Sequence, residues 1–230
     1  MTLMRTLCVV GALLPAGSAL AAPSIPWTEP NGTTASFSWA DGASENGLVT
    51  TPVSGDSFVV FFPQFFSASV MTGASSLVTE SISVKLTAPK GHYFTNISTS
   101  FDGDYSIFGG GSVDATGAMF LTDLDSGQTL GATSTFTPPL PVVTQGGADG
   151  LFSSVASISP TGLWDTVMLQ FDARLFSNSA SGGAAVLAAK VLNIGVETAV
   201  IPLPPALLTA PIALGLVHFA RRRMQKAGAN

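Results

Sequence analysis

Cysteine is almost missing from this chain of 230 residues. Cys8 stands alone, so no disulfide can form within the chain, and thiolate zinc sites and thiol catalysis drop out with it. Histidine is nearly as scarce: His92 lies in the body of the chain and His218 near its C-terminal end. That spacing excludes a multi-histidine metal site and leaves His92 as the one base a serine triad could use, yet no Gly-x-Ser-x-Gly surrounds any serine. Charge is thin as well, at 10% of residues, with no long charged helical face, which argues against a helical bundle. Between Ala22 and Val200 the basic residues are Lys85, Lys90, Arg174 and Lys190 against 14 acidic ones, a formal charge of −10. A surface of that sign repels phosphate backbones, and no basic patch with interleaved aromatics offsets it, so nucleic acid is not a partner.

What the chain has instead is glycine, serine and threonine between short apolar alternations. Ile82, Val84 and Leu86 alternate with Ser81, Ser83 and Lys85, which predicts a strand with the first set on a core and the second in water. Pro89-Lys90-Gly91 then turns the chain into a second strand. There Tyr93, Ile97 and Phe101 share a face with Thr95 and Thr99, opposite Asn96, Ser98 and Ser100, and the two strands read as an antiparallel hairpin. After Gly109-Gly110-Gly111-Ser112 the pattern resumes with Val113, Ala115, Met119 and Leu121, up to a turn at Asp123-Leu124-Asp125-Ser126-Gly127.

Upstream, Thr33 to Trp39 reads as the first strand, followed by the turn dipeptides Asp41-Gly42 and Asn46-Gly47. Phe58 to Phe62, resumed at Phe65-Phe66, reads as a buried strand interrupted by Pro63. Downstream, Pro138 to Gly150 reads as a surface loop within one domain. Val167, Leu169, Phe171, Ala173 and Leu175 alternate with Thr166, Gln170, Asp172 and Arg174. Ala184 to Lys190 suits helix or strand, and Val191 to Val196 suits strand. About seven to ten such strands, with turns at this spacing, predict an all-β domain: a single antiparallel β-sandwich, jelly-roll or Ig-like.

The two ends are of another kind. Residues 1–21 have Arg5, an apolar stretch from Leu7 to Leu14 and small residues up to Ala19-Leu20-Ala21, the pattern of a signal peptide that signal peptidase removes after Ala21. The domain then occupies 22–199. Residues 200–230 begin with Val200-Ile201-Pro202-Leu203-Pro204-Pro205-Ala206 and continue as an apolar run, Leu203 to Ala220, closed by Arg221, Arg222 and Arg223. As a helix this run is about 27 Å long, enough for a transmembrane span, and the arginines hold the C-terminus inside.

A Pro-x-Pro motif, one apolar helix and an arginine cluster, in that order, resemble the PEP-CTERM sorting signal in its Val-Pro-Leu-Pro-Ala variant. Val200, Pro202, Leu203, Pro204, Ala206, Arg221, Arg222 and Arg223 carry the likeness, with Ile201 inserted. The stretch from Ile82 to Val113 also resembles a pattern recurrent in the globular parts of such proteins. The resemblance implies recognition by an exosortase-type transpeptidase, cleavage near Pro-x-Pro and an association with exopolysaccharide. It implies export through the inner membrane, a membrane-anchored intermediate and a final place at the cell surface or in the extracellular matrix.

Candidate chemistry is sparse. Asp102 with Asp104, and Asp123 with Asp125, are carboxylate pairs at the spacing of one strand face, but Asp in such Gly-rich settings reads first as a turn residue. With Asp114, the pair Asp102 and Asp104 makes the candidate calcium ligand set; no other cofactor is implied. His92, beside Gly91, reads as an exposed turn residue. No catalytic residue is assigned, and the sequence reads as a non-catalytic exported surface or matrix protein. The alternatives are a carbohydrate-active hydrolase on a sandwich scaffold and a simple membrane-anchored periplasmic domain.

Overall fold

A computed structural model describes residues 25–46, 53–54, 57–61 and 66–202, the second and third stretches in backbone only. The signal-peptide reading of residues 1–21 lies outside the described residues. So do the sorting-signal positions Leu203, Pro204, Ala206, Arg221, Arg222 and Arg223 and the apolar run 203–220. Among the described residues no helix is long and apolar enough to cross a membrane.

The strands in chain order are β1 (Ile25–Pro26), β2 (Gly32–Thr33), β3 (Ser38–Ser44), β4 (Val53–Ser54), β5 (Ser57–Phe61), β6 (Ser67–Met71), β7 (Ser75–Thr87) and β8 (His92–Phe108). They continue as β9 (Gly111–Asp123), β10 (Thr129–Thr133), β11 (Thr135–Thr137), β12 (Val142–Thr144), β13 (Ala148–Ile158), β14 (Thr166–Ser179) and β15 (Ala184–Val200). Two sheets form. One runs β1-β3-β7-β14-β9-β10, with β2 on β3 and β12 on β9; the other runs β11-β13-β8-β15-β5-β4, with β6 on β15. Number β5, β7, β8, β9, β10, β13, β14 and β15 from first to eighth: the first sheet then holds 2-7-4-5 and the second 1-8-3-6. That order is the double Greek key of a jelly roll, built entirely from antiparallel pairs.

Period-two patterning accounts for the core. Ile82, Val84 and Leu86 of β7, Val113, Ala115, Met119 and Leu121 of β9, and Val167, Leu169, Phe171, Ala173 and Leu175 of β14 all point inward and are buried. Ile97 and Phe101 of β8 and Leu192, Ile194 and Val196 of β15 meet them from the other sheet. Phe101 sits at the middle of an aromatic cluster. Its ring centroid is 5.7 Å from those of Phe152 and Phe171, 6.4 Å from that of Phe66 and 6.4 Å from that of Phe136. Through Phe171 this cluster ties one sheet to the other, which is how a domain with no cystine among its described residues is held together.

Several expectations need correction. The surface loop from Pro138 to Gly150 carries β12, paired with β9, and the first residues of β13. The core place given to Tyr93 is taken by Phe94, because β15 is out of register with β8 between Glu197 and Thr198. β7 and β8 are not a hairpin: the Pro89–Gly91 turn, with Gly91 at φ 78° and His92 N donating to Pro89 O at 2.9 Å, carries the chain from one sheet to the other. β7 already has β3 and β14 as neighbours, so no edge remains for β8. Thr33 to Trp39 is not one strand. Thr34 Oγ1 accepts from Ser36 N and Phe37 N, closing a tight turn between β2 and β3.

Asp41-Gly42 is not a turn between strands either. It is a bulge inside β3, with Asp41 at φ 56° and Gly42 so close beneath Trp27 that a Cβ there would lie 2.3 Å from the indole. Ser81, expected in water, is fully buried: it points away from the core but is covered by hydrogen bonds to Asp172 and Gln170. Ala184 to Lys190 is strand, since β8 and β6 flank it on both sides.

Candidate functional site

The outer face of the first sheet is set by register. Across β7, β14 and β9 the outward residues stand in rows: Leu77–Phe176–Asp114, then Thr79–Arg174–Thr116, then Ser81–Asp172–Ala118, then Ser83–Gln170–Phe120. β10 extends the third row with Thr133 and the fourth with Gly131. Thr79 and Thr116 on either side of Arg174, with Ala118 and Thr133 beside them, lie low between the larger Leu77, Phe176 and Phe120 and leave a trough running across the strands. One hollow of about 500 Å³ is lined by Leu77, Thr79, Thr116, Ala118, Thr133 and Arg174. A second, of about 280 Å³, shares Thr116 and Arg174 with it and adds Asp114 and Phe176. A third, of about 540 Å³, continues past Asp114 and Thr133 to Phe136 and the prolines Pro139 and Pro141. With strands about 4.8 Å apart, a crossing from β7 to β10 spans about 15 Å.

Its chemistry is mixed. Leu77 is 51% exposed and Phe120 38%, so apolar surface stands open on both sides. Asp172 accepts from Ser81 Oγ at 2.6 Å and from Gln170 Nε2 at 2.9 Å, which fixes these three side chains on the sheet. Arg174 is exposed in the middle of the trough and makes no ion pair among the described residues; Lys190 with Asp104 does. A guanidinium fork without a partner among the described residues, a nearby carboxylate on Asp114 and aromatic edges at Phe176 and Phe120 form a surface that can donate to, accept from and lie flat against one polar, ring-bearing ligand.

The second sheet's outer face carries one of the predicted acid pairs. Asp102 and Asp104 point outward from the middle of β8, a strand of 17 residues, so the turn reading fails for this pair. β15 bulges opposite them: Ala189 pairs with Gly103 and Val191 with Asp102, leaving Lys190 over Asp104, with which it forms a short ion pair. Asn193 Nδ2 lies 3.0 Å from Ser100 Oγ and 3.5 Å from Asp102 Oδ2. Burial pushes the Asp102 carboxyl above the ordinary carboxylate range, partly offset by its hydrogen bond from Ser100. A hollow of about 430 Å³ there is lined by Asp102, Thr137, Leu151, Ser153, Lys190 and Val191.

The proposed calcium trio is not assembled. Asp114 projects from the outer face of the first sheet, whereas Asp102 and Asp104 project from the outer face of the second, with the whole core between them. Among the described residues no group of three His, Cys, Asp or Glu side chains is placed to hold a metal. Asp123 does cap its turn, accepting from Ser126 N at 3.1 Å and from the Ser126 hydroxyl. His92 opens β8, with Nδ1 3.3 Å from Lys90 O. Val200 ends β15 opposite His92, and Pro202 follows, exposed. The residues of the trough other than Asp114 were not singled out by sequence, since they come from strands far apart in the chain. Arg174 alone carried a signal, as one of the four basic residues of the domain.

No family model matches the chain, and no curated protein matches it. Among solved structures it is similar to TmCBM61 in complex with β-1,4-galactotriose, at 10% identity over 66% of this chain and 86% of that one, with a TM-score of 0.21. It is also similar to a family 11 carbohydrate-binding module from Clostridium thermocellum in complex with a β-1,3-1,4-mixed-linked tetrasaccharide, at 11% identity over 60% and 96%, with a TM-score of 0.19. A third likeness is to a family 29 carbohydrate-binding module, at 6% identity over 61% and 74%, with a TM-score of 0.19. With overlaps this loose, the fold stands on the chain's own strand pairing and the site on its own residues.

Proposed function

We propose that this is an exported, non-catalytic surface or matrix protein whose sandwich holds a polysaccharide chain along the trough centred on Arg174. The trough itself carries the reading. It is open along its length, as a polymer requires, and its floor of Thr79, Thr116, Ala118 and Thr133 is low enough for a chain to lie against the sheet. Arg174 supplies donors to ring and hydroxyl oxygens, Asp114 accepts from hydroxyls, and Phe176, Phe120 and Leu77 offer apolar surface to the C–H faces of sugar rings. One free guanidinium beside Asp114 and Asp172 makes no strongly positive field, so a neutral chain suits the trough better than a polyanion.

The ends of the chain supply the rest of the reading: residues 1–21 direct export, and the PEP-CTERM-like segment from Val200 to Arg223 directs exosortase-type sorting to the surface beside exopolysaccharide. Affinity electrophoresis through gels containing neutral polysaccharides tests the binding. The protein should be retarded by at least one of them, and Arg174→Ala should abolish the retardation while its circular dichroism is unchanged. Retardation untouched by Arg174→Ala would remove the trough from the reading, and shortening of the polysaccharide by the protein would favour the hydrolase alternative.

A further inference from the structure

The strand β15 delivers the chain to the apolar run with almost no slack. Val200 pairs with His92, Ile201 N donates to Gly91 O at 2.8 Å, and a single residue, Pro202, separates this anchored backbone from Leu203, where the run to Ala220 begins. Whatever surface receives that run must therefore lie against the end of the sandwich where β15 stops.

The same end is built from three more connections. Ala88 N donates to Asp165 O at 2.8 Å, Phe94 N to Trp164 O at 2.8 Å and Leu124 N to Thr166 O at 3.1 Å, so the β7–β8 turn, the β13–β14 loop and the β9–β10 turn are tied together at the end of the sandwich where Ile201 lies. Trp164 is buried beneath this end, but its neighbour Leu163 is 56% exposed, Val200 is 66% exposed and Leu124 is open as well. Lys90 stands among them with Asp125, Asp165 and Glu197, one positive charge against three negative, so a zwitterionic headgroup layer suits this end better than a purely anionic one.

We infer that this end of the jelly roll is a lipid-facing surface: in the anchored protein, the 88–91, 124–128 and 159–165 connections rest on the headgroups of the outer leaflet, with Leu163 and Val200 entering the interface. The inference rests on the reading of Leu203 to Ala220 as a membrane span. It goes beyond it, because a long linker would let the domain float free, and here there is none. One consequence is orientation. Met71 pairs with Ala184 at the start of β15, so it stands about 50 Å from Val200 along the strand, at the far end from the bilayer. The trough, whose axis crosses the strands, then runs roughly parallel to the membrane plane.

The experiment uses the full-length chain with Cys8→Ser in vesicles of phosphatidylethanolamine and phosphatidylglycerol. A single cysteine at Leu163→Cys or Met71→Cys carries an environment-sensitive fluorophore, and quenching by headgroup-labelled lipid is compared. Quenching several-fold stronger at position 163 than at position 71 is expected. Equal, weak quenching at both positions, in protein that still resists alkaline extraction, would overturn the lipid-facing surface and leave the anchor intact. Protein that alkali extracts would overturn the membrane reading, and the inference with it.

Discussion

Gly103 and Phe152 meet across the β8–β13 pair so closely that a Cβ on Gly103 would lie 2.5 Å from the Phe152 ring and 2.2 Å from the carbonyl oxygen of Ala188. The glycine lets the β15 bulge close over β8 while Phe152 stays in the aromatic cluster. Gly103→Ala must displace a backbone carbonyl as well as a ring, so it should destabilise the domain by about 1–3 kcal/mol. Urea denaturation followed by tryptophan fluorescence measures this, and an unchanged midpoint would mean the bulge relaxes freely.

Phe101 touches Phe66, Phe136, Phe152 and Phe171 from the middle of the sandwich. Truncation to Ala removes contacts in both sheets at once and leaves a cavity that four rings cannot fill. A loss of about 3–5 kcal/mol is expected. Phe176→Ala, on the trough rim, should cost far less in the same assay.

Glu80 predicts a pH dependence. It is buried, and its carboxylate accepts from Glu45 N at 2.9 Å, Asn46 N at 3.3 Å and Asn46 Nδ2 at 3.0 Å. Burial raises its pKa above the ordinary 4.5; the hydrogen bonds from Asn46 and Glu45 oppose the rise, and the charge of Glu45 adds to it. The folded protein thus holds this proton more tightly than the unfolded chain does. Its stabilising effect is fully present below pH 4.5 and is lost as the pH rises through the native value. The urea midpoint should accordingly fall from pH 4.5 towards neutrality, and Glu80→Gln should flatten that fall. A wild-type midpoint that rises over the same interval, with the same slope in the variant, would contradict it.

Ser81 and Asp172 give a prediction on the outer face. Asp172→Ala leaves the buried Ser81 hydroxyl without its 2.6 Å acceptor, and a loss of about 1–3 kcal/mol is expected from that unsatisfied group. Ser81→Ala combined with Asp172→Ala should recover part of the loss, since both partners are then gone. A double-mutant cycle measures the coupling.

How much of this was legible in the sequence depended on range. Alternation is local, so the inward residues of β7, β9 and β14 could be read directly, and a jelly roll was one of two architectures the pattern allowed. Pairing is not local. Nothing between Leu86 and Tyr93 reveals that the chain changes sheets at Gly91, because an apolar face turned toward a core has the same pattern whichever sheet bears it. The Asp41-Gly42 bulge has the composition of a turn and differs only in that Trp27 packs over it. The candidate site was the least legible part. Asp114 was singled out with Asp102 and Asp104 on sequence proximity, and the fold sends it to the opposite face, where its neighbours are Phe176 and Arg174.

Amide chemical-shift mapping with a neutral oligosaccharide tests the trough most directly. Titration should perturb Thr79, Asp114, Thr116, Thr133 and Arg174 together, on three neighbouring strands and β10, while Asp102, Ser153 and Val191 on the opposite sheet stay still. Perturbations gathered around Asp102 and Lys190 instead, or none with any neutral saccharide that retards the protein in gels, would contradict a polysaccharide site on the first sheet.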